Sequence, residues 1–234
     1  MYTELELAHV QETLGNLHSR IVERFPGSGL GQVASELCSI AQETGPILER
    51  LRRPSWTVRV LVGLAVLVLL ALSGGLVALF GTLSLGDDGL GSVLQAIESA
   101  AQDLIFLGVA IYFLLTIEGR LKRRIALRDL RRLRAIVHIV DMHQLTKDPE
   151  HLLAQGDRTA SSPRRELSRF ELSRYLDYCT ELLSLSSKLA ALHAQCVNDP
   201  VVLEAVNDIE VLASNLSNKI WQKIVILDTI PRLE

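Results

Sequence analysis

Between Val60 and Gly119 the chain has neither lysine nor arginine, although 24 of its 234 residues are basic. Surfaces of soluble domains intersperse both signs of charge, so this gap excludes an ordinary solvated surface over that region. Cysteine is scarce and scattered: Cys38, Cys179 and Cys196 give neither a disulfide framework nor paired zinc ligands, and they read as small core residues. Aromatics make up only 5% of the chain, and none interrupts the basic tract from Arg120 to Arg134. Stacking platforms for bases are therefore excluded, and nucleic acid is not an expected partner. No glycine-rich phosphate loop and no nucleophile elbow is present, so neither an enzyme nor a cofactor is expected.

What fills the gap is apolar. Val60 to Leu85 holds no ionisable side chain, and at about 1.5 Å per helical residue it exceeds the roughly 30 Å hydrocarbon core of a bilayer. A second run, Leu104 to Ile117, is shorter and reaches spanning length when extended back through Ala100 and Ala101, which leaves Asp103 near one membrane face. Arg50, Arg52, Arg53 and Arg59 precede the first run, and Arg120, Lys122, Arg123, Arg124, Arg128, Arg131, Arg132 and Arg134 follow the second. The connection between them carries Asp87, Asp88, Glu98 and Asp103. Basic flanks stay cytoplasmic, so the expected topology is a multi-pass membrane protein with both termini inside. The opening residues are acidic and polar, unlike a signal peptide.

The expected organisation is all-α. Residues 1–54 form amino-terminal helices on the stripes Val10, Leu14, Leu17, Ile21, Phe25 and Leu30, Val33, Leu37, Ile40, with Gly45-Pro46 breaking or kinking the second. Residues 55–117 form the transmembrane hairpin, with spans near 60–85 and 100–117 and an external loop 86–99 in which Ser92 and Gln95 fit a capping box. A basic helix follows over 118–154, and 155–165 reads as a polar linker. An antiparallel helical hairpin is expected over 166–230. Ser168 and Glu171 suit a capping box at its start, and Asp199-Pro200 suits the turn. Leu203, Val206, Ile209, Leu212, Leu216, Ile220, Ile224 and Leu227 would carry its returning stripe.

Several residues are candidates for function. Glu98 and Asp103 could ring an external pore mouth in an oligomer. Arg120, Lys122, Arg123 and Arg124 are placed to meet lipid headgroups. Ala71 with Gly75, and Gly74 with Ala78, have the small-x-x-x-small spacing that lets spans pack closely, on Gly108 of the second span or on another subunit. His138, Asp141, His143, Asp148 and His151 are the densest metal-capable group, but His138 and Asp141 share a helix face from which His143 points away, and no metal is assigned. Arg132 and His138 match the spacing of the HEPN-type ribonucleases, an arginine followed a few residues later by a histidine, without the polar neighbour that usually flanks that arginine.

HIVDMHQLTKDPE (His138 to Glu150), FELSRYLDYCTELLSLSSKLAALHAQ (Phe170 to Gln195) and NKIWQKIVIL resemble a group of uncharacterised bacterial two-span inner-membrane proteins with this order of parts. More loosely, helices flanking a two-span hairpin are similar in layout to SLATT-type effectors, which implies a membrane pore. The expected function is a membrane-anchored helical scaffold or adaptor that forms a homo-oligomer or binds a cytoplasmic protein; an oligomeric pore is the alternative. The expected contacts are the lipid bilayer, like chains and, for an adaptor, a cytoplasmic protein partner.

Overall fold

The computed structural model describes residues 4–84, 90–149 and 167–229, and among these it is helical with no strand. The Asp87-Asp88-Gly89 turn and the 155–165 linker lie outside the described residues. The helices are α1 (Leu7–Arg24), α2 (Gly29–Arg52), α3 (Trp56–Ser84), α4 (Leu90–Leu145), α5 (Arg169–Cys196) and α6 (Pro200–Thr229). The chain divides into two compact units, Met1–Arg52 with Arg123–Glu234, and Arg53–Lys122.

The larger unit is a helical bundle whose core follows the local periodicity. Val10, Leu14, Leu17 and Ile21 line the buried face of α1, and Leu30, Val33, Leu37 and Ile40 that of α2. The turn between them requires Gly27 at φ 71°, in the left-handed region that glycine enters freely. The Ser28 hydroxyl then accepts from Gly31 N at 3.2 Å and caps the next helix. Of the two outcomes expected at Gly45-Pro46, the break does not occur: α2 stays helical through Pro46 to Arg52. Pro46 forfeits one backbone hydrogen bond, but continuing the helix buries Leu48 and Leu51 in the core.

Helix α5 packs on α1, α2 and α6. It starts with a full capping box between Ser168 and Glu171, and Phe25 meets its Tyr175 and Tyr178 edge to face at 5.5 and 6.2 Å. Asp199 opens α6, its Oδ1 accepting from Val201 N at 3.0 Å and Val202 N at 3.3 Å. The α6 stripe differs from expectation at its start: Leu203 faces out at 40% exposure, and Val202 is fully buried instead.

The smaller unit is an apolar hairpin of α3 and the first part of α4. Its two helices are long and apolar enough to cross a membrane, with peak mean hydropathies of 2.3 and 1.8, and no part of those windows is buried inside the chain. Leu61, Leu67, Leu104, Ile105 and Phe106 each stand at least 65% exposed. Helix α4 already begins at Leu90, so Ser92 lies within it and not at its cap.

Candidate functional site

The base of the apolar hairpin is closed by one carboxylate. Glu118 follows Ile117, where the apolar run ends, and accepts from Ser55 N at 3.0 Å. It also pairs with Arg59 Nε at 2.7 Å and Lys122 Nζ at 3.2 Å. The hydrogen bond from Arg59, then that from Ser55 N, hold its carboxyl down to about 2 against the burial that would raise it. This carboxylate is ionised throughout the physiological range and ties the start of α3 to α4.

The basic tract sorts into two sets that a count of charges would not reveal. The first set is engaged. Lys122 meets Glu118, and Arg123 pairs with Asp199 at 2.6 Å. Arg132 and Arg134 pair with Glu43 and Asp208 at 2.5 and 3.6 Å. Burial raises the Asp199 carboxyl, but the Arg123 guanidinium and the Val202 and Val201 amides outweigh it and leave the group below its ordinary range. The second set faces outward. Arg120 lies over the Phe113 ring at 4.8 Å. Arg124 and Arg128 are exposed, and Arg131 donates to the Leu127 carbonyl. Of the candidate headgroup contacts, Arg120 and Arg124 therefore have no carboxylate partner among the described residues, whereas Lys122 and Arg123 do.

Glu98 and Asp103 are both exposed. Their spacing sets them about 140° apart around a helix, so they do not share a face within one chain. Ala71, Gly74, Gly75 and Ala78 are also exposed. A Cβ built on Gly74, Gly75 or Gly108 meets nothing within 4 Å. No described residue of another element therefore packs closely on Gly74, Gly75 or Gly108, and the small-residue face is open among the described residues.

Inside the bundle lies a polar tie that the sequence does not announce. His193 on α5 is fully buried, with Nε2 2.9 Å from Asp129 Oδ2 and Nδ1 3.1 Å from the Leu189 carbonyl. A carbonyl can only accept, so Nδ1 carries a hydrogen, and a single further proton is shared between Nε2 and Asp129. The Thr44 hydroxyl of α2 sits 2.8 Å from the Ile40 carbonyl and 3.3 Å from Asp129 Oδ2. One buried contact thus joins α2, α4 and α5. Asp129 Oδ1 has no hydrogen bond among the described residues, and Arg132 Nη1 stands 3.9 Å from it. A second tie closes the end of α4, where Lys223 donates to the Gln144 Oε1 and backbone oxygen at 2.8 and 3.2 Å. Gln144 in turn donates to Asp141 at 2.7 Å.

These contacts explain two of the other candidates. His138 is exposed, Asp141 is engaged by Gln144, and His143 lies against Gly29. Among the described residues no three His, Cys, Asp or Glu side chains gather closely enough to hold a metal ion. Arg132 is held by Glu43, and His138 is exposed. Asp129, three residues after Ala126, and His193, four after Leu189, fall on the buried stripes of their helices, but local spacing does not pair residues 64 apart.

No protein-family model matches the chain, and no similar curated protein or solved structure was found.

Proposed function

We propose that this chain is a membrane-anchored helical scaffold. The apolar hairpin crosses the bacterial inner membrane, and the bundle on the cytoplasmic side self-associates or holds a protein partner. What carries the reading is the composition of α4. Its early residues present Leu104, Ile105 and Phe106 outward, while Ala126, Leu130, Leu133, Val137 and Val140 are core residues of the bundle. An exposed apolar surface of this extent is costly in water and costs nothing in lipid. The basic residues on both flanks support the assignment of sides. Retention in the membrane pellet after an alkaline wash is the expected result, together with crosslinks to like chains or a second protein through 166–230. Release into the supernatant would refute anchoring, and a monomer without crosslinked partners would refute the scaffold.

A second reading is an oligomeric pore, in line with the SLATT-like layout. It is favoured by Glu98 and Asp103, which stand exposed without an ion-pair partner among the described residues, and by the open small-residue face of α3. Purified protein in planar bilayers would then pass cation-selective currents that change when both carboxylates are replaced by Ala. Silent bilayers would refute the pore.

A further inference from the structure

We infer that the Arg120 guanidinium, laid on the Phe113 ring at the base of the apolar hairpin, is a binding site for the phosphodiester headgroup of an anionic phospholipid.

Glu118 takes Arg59 and Lys122, at 2.7 and 3.2 Å, and Arg120 is left without a carboxylate among the described residues. The reason is angular. At about 100° per residue, Glu118 and Lys122 each lie about 160° around α4 from Arg120. Arg120 therefore faces away from Ser55 and Arg59, on the side of the hairpin that bilayer lipid would cover.

What it faces there is apolar. Phe113, Ile117 and Leu121 lie within about 100° of it around the helix, and all three are exposed. The guanidinium carbon stands 4.8 Å from the Phe113 ring centroid. Phe113 is placed seven residues earlier, so its Cα lies about 10 Å back along the axis, within the apolar run. Side chains on a helix lean towards its amino terminus, which for this part of α4 is the direction of the hydrocarbon. The cation is thus drawn back along apolar surface instead of reaching out into water.

A charge held there needs an anion. Hydrocarbon penalises an uncompensated cation, and charged side chains at membrane depth are accordingly paired. The ring alone gives only a weak attraction. A lipid phosphate supplies the rest, because the planar guanidinium fork can take two phosphate oxygens while one of its faces stays on the ring. The acyl chains of the same lipid then cover Phe113 and Ile117. A zwitterionic headgroup already sets its own ammonium beside its phosphate, which leaves the anionic lipid as the better match. A soluble anion would satisfy the charge and leave the apolar neighbours bare. A second copy would bring no free carboxylate to this level, since its Glu118 is likewise held by Arg59 and Lys122.

The inference rests on the anchoring part of the scaffold reading. Alkaline-wash retention reports insertion and lipid selectivity reports this site, so an anchored protein without selectivity overturns the site alone. The test is native mass spectrometry of the full-length protein titrated with phosphatidylglycerol or phosphatidylcholine, with circular dichroism to show that each variant keeps its helix. The wild type is expected to bind its first phosphatidylglycerol about tenfold more tightly than phosphatidylcholine. Arg120→Gln should remove that preference, a loss of about tenfold for one charge-assisted pair. Phe113→Leu should weaken phosphatidylglycerol binding about threefold, because the stacked face is lost. Arg128 is the control, being exposed, about 12 Å further along α4 and without a ring contact among the described residues. Arg128→Gln should leave the preference in place. Equal binding of the two lipids by the wild type, equal losses in Arg120→Gln and Arg128→Gln, or Phe113→Leu without effect would each overturn the inference. Displacement of phosphatidylglycerol by millimolar inorganic phosphate would overturn it too, by assigning the site to a soluble anion.

Discussion

Removing His193 should cost far more than removing it together with its partner. In His193→Ala the Asp129 carboxylate, 2% exposed, is left in the core with Oδ1 already unbonded and Oδ2 reduced to the weaker Thr44 contact. Breaking a buried pair from one side costs about 3 to 5 kcal/mol, because the remaining carboxylate stays buried and faces Arg132 at 3.9 Å without a hydrogen bond to it. Domain stabilities are only about 5 to 15 kcal/mol, so this is a large fraction of the whole. At about 2 to 4 °C per kcal/mol, the bundle should melt roughly 6 to 20 °C lower. His193→Leu with Asp129→Leu removes both polar groups and keeps the volume filled, and should fall within about 1.5 kcal/mol of wild type. Urea unfolding in detergent, followed by circular dichroism and by fluorescence of a Trp56→Phe background that leaves Trp221 as reporter, supplies the comparison. The reasoning is refuted if His193→Ala shifts stability by less than about 0.5 kcal/mol. It is equally refuted if the double variant costs the sum of the two single ones.

Further expectations concern charge, capping and thiol access. The Glu118 carboxyl is lowered from 4.5 to about 2, so its stabilisation of the hairpin is complete above 4.5 and is lost as pH falls towards 2. Glu118→Gln should remove that part of the acid limb in a pH-resolved melt, and an unchanged acid limb would count against the clamp. Ser168→Ala deletes the hydroxyl that accepts from Glu171 N at 3.3 Å and should cost about 1 kcal/mol in urea unfolding, with Ser168→Asp close to neutral. Burial pushes the Cys179 thiol up to about 12, so maleimide should label Cys38 and Cys196 in the folded protein and reach Cys179 only in urea. Early labelling of Cys179 would contradict its place in the core.

The sequence discloses what depends on local period and local hydrogen bonding. The α1 and α2 stripes, the capping box at Ser168 and the Asp199-Pro200 entry to α6 are each decided within one or two turns of helix, and the structure repeats them. Pro46 does not break α2 because its cost of one hydrogen bond is set against the burial of Leu48 and Leu51, which depends on a neighbouring helix. Val202 displaces Leu203 from the core for a related reason. Both fit an apolar stripe, and the packing of α5 on α6 chooses between them. The buried Asp129 and His193 are illegible locally, since one sits in a run of charges and the other near the end of an amphipathic helix. The division of the arginines is invisible for the same reason. Arg123 and Arg124 are adjacent and alike, and only the tertiary fold gives Arg123 the Asp199 carboxylate.

Membrane anchoring with both flanks on one side is the claim on which the rest depends, and substituted-cysteine labelling in intact cells tests it most directly. With the native cysteines replaced by serine, Asp88→Cys should react with a membrane-impermeant maleimide applied from outside. Arg53→Cys and Arg128→Cys should react only after the inner membrane is permeabilised. Labelling of the flanking positions in intact cells, or protection of position 88, would contradict the account.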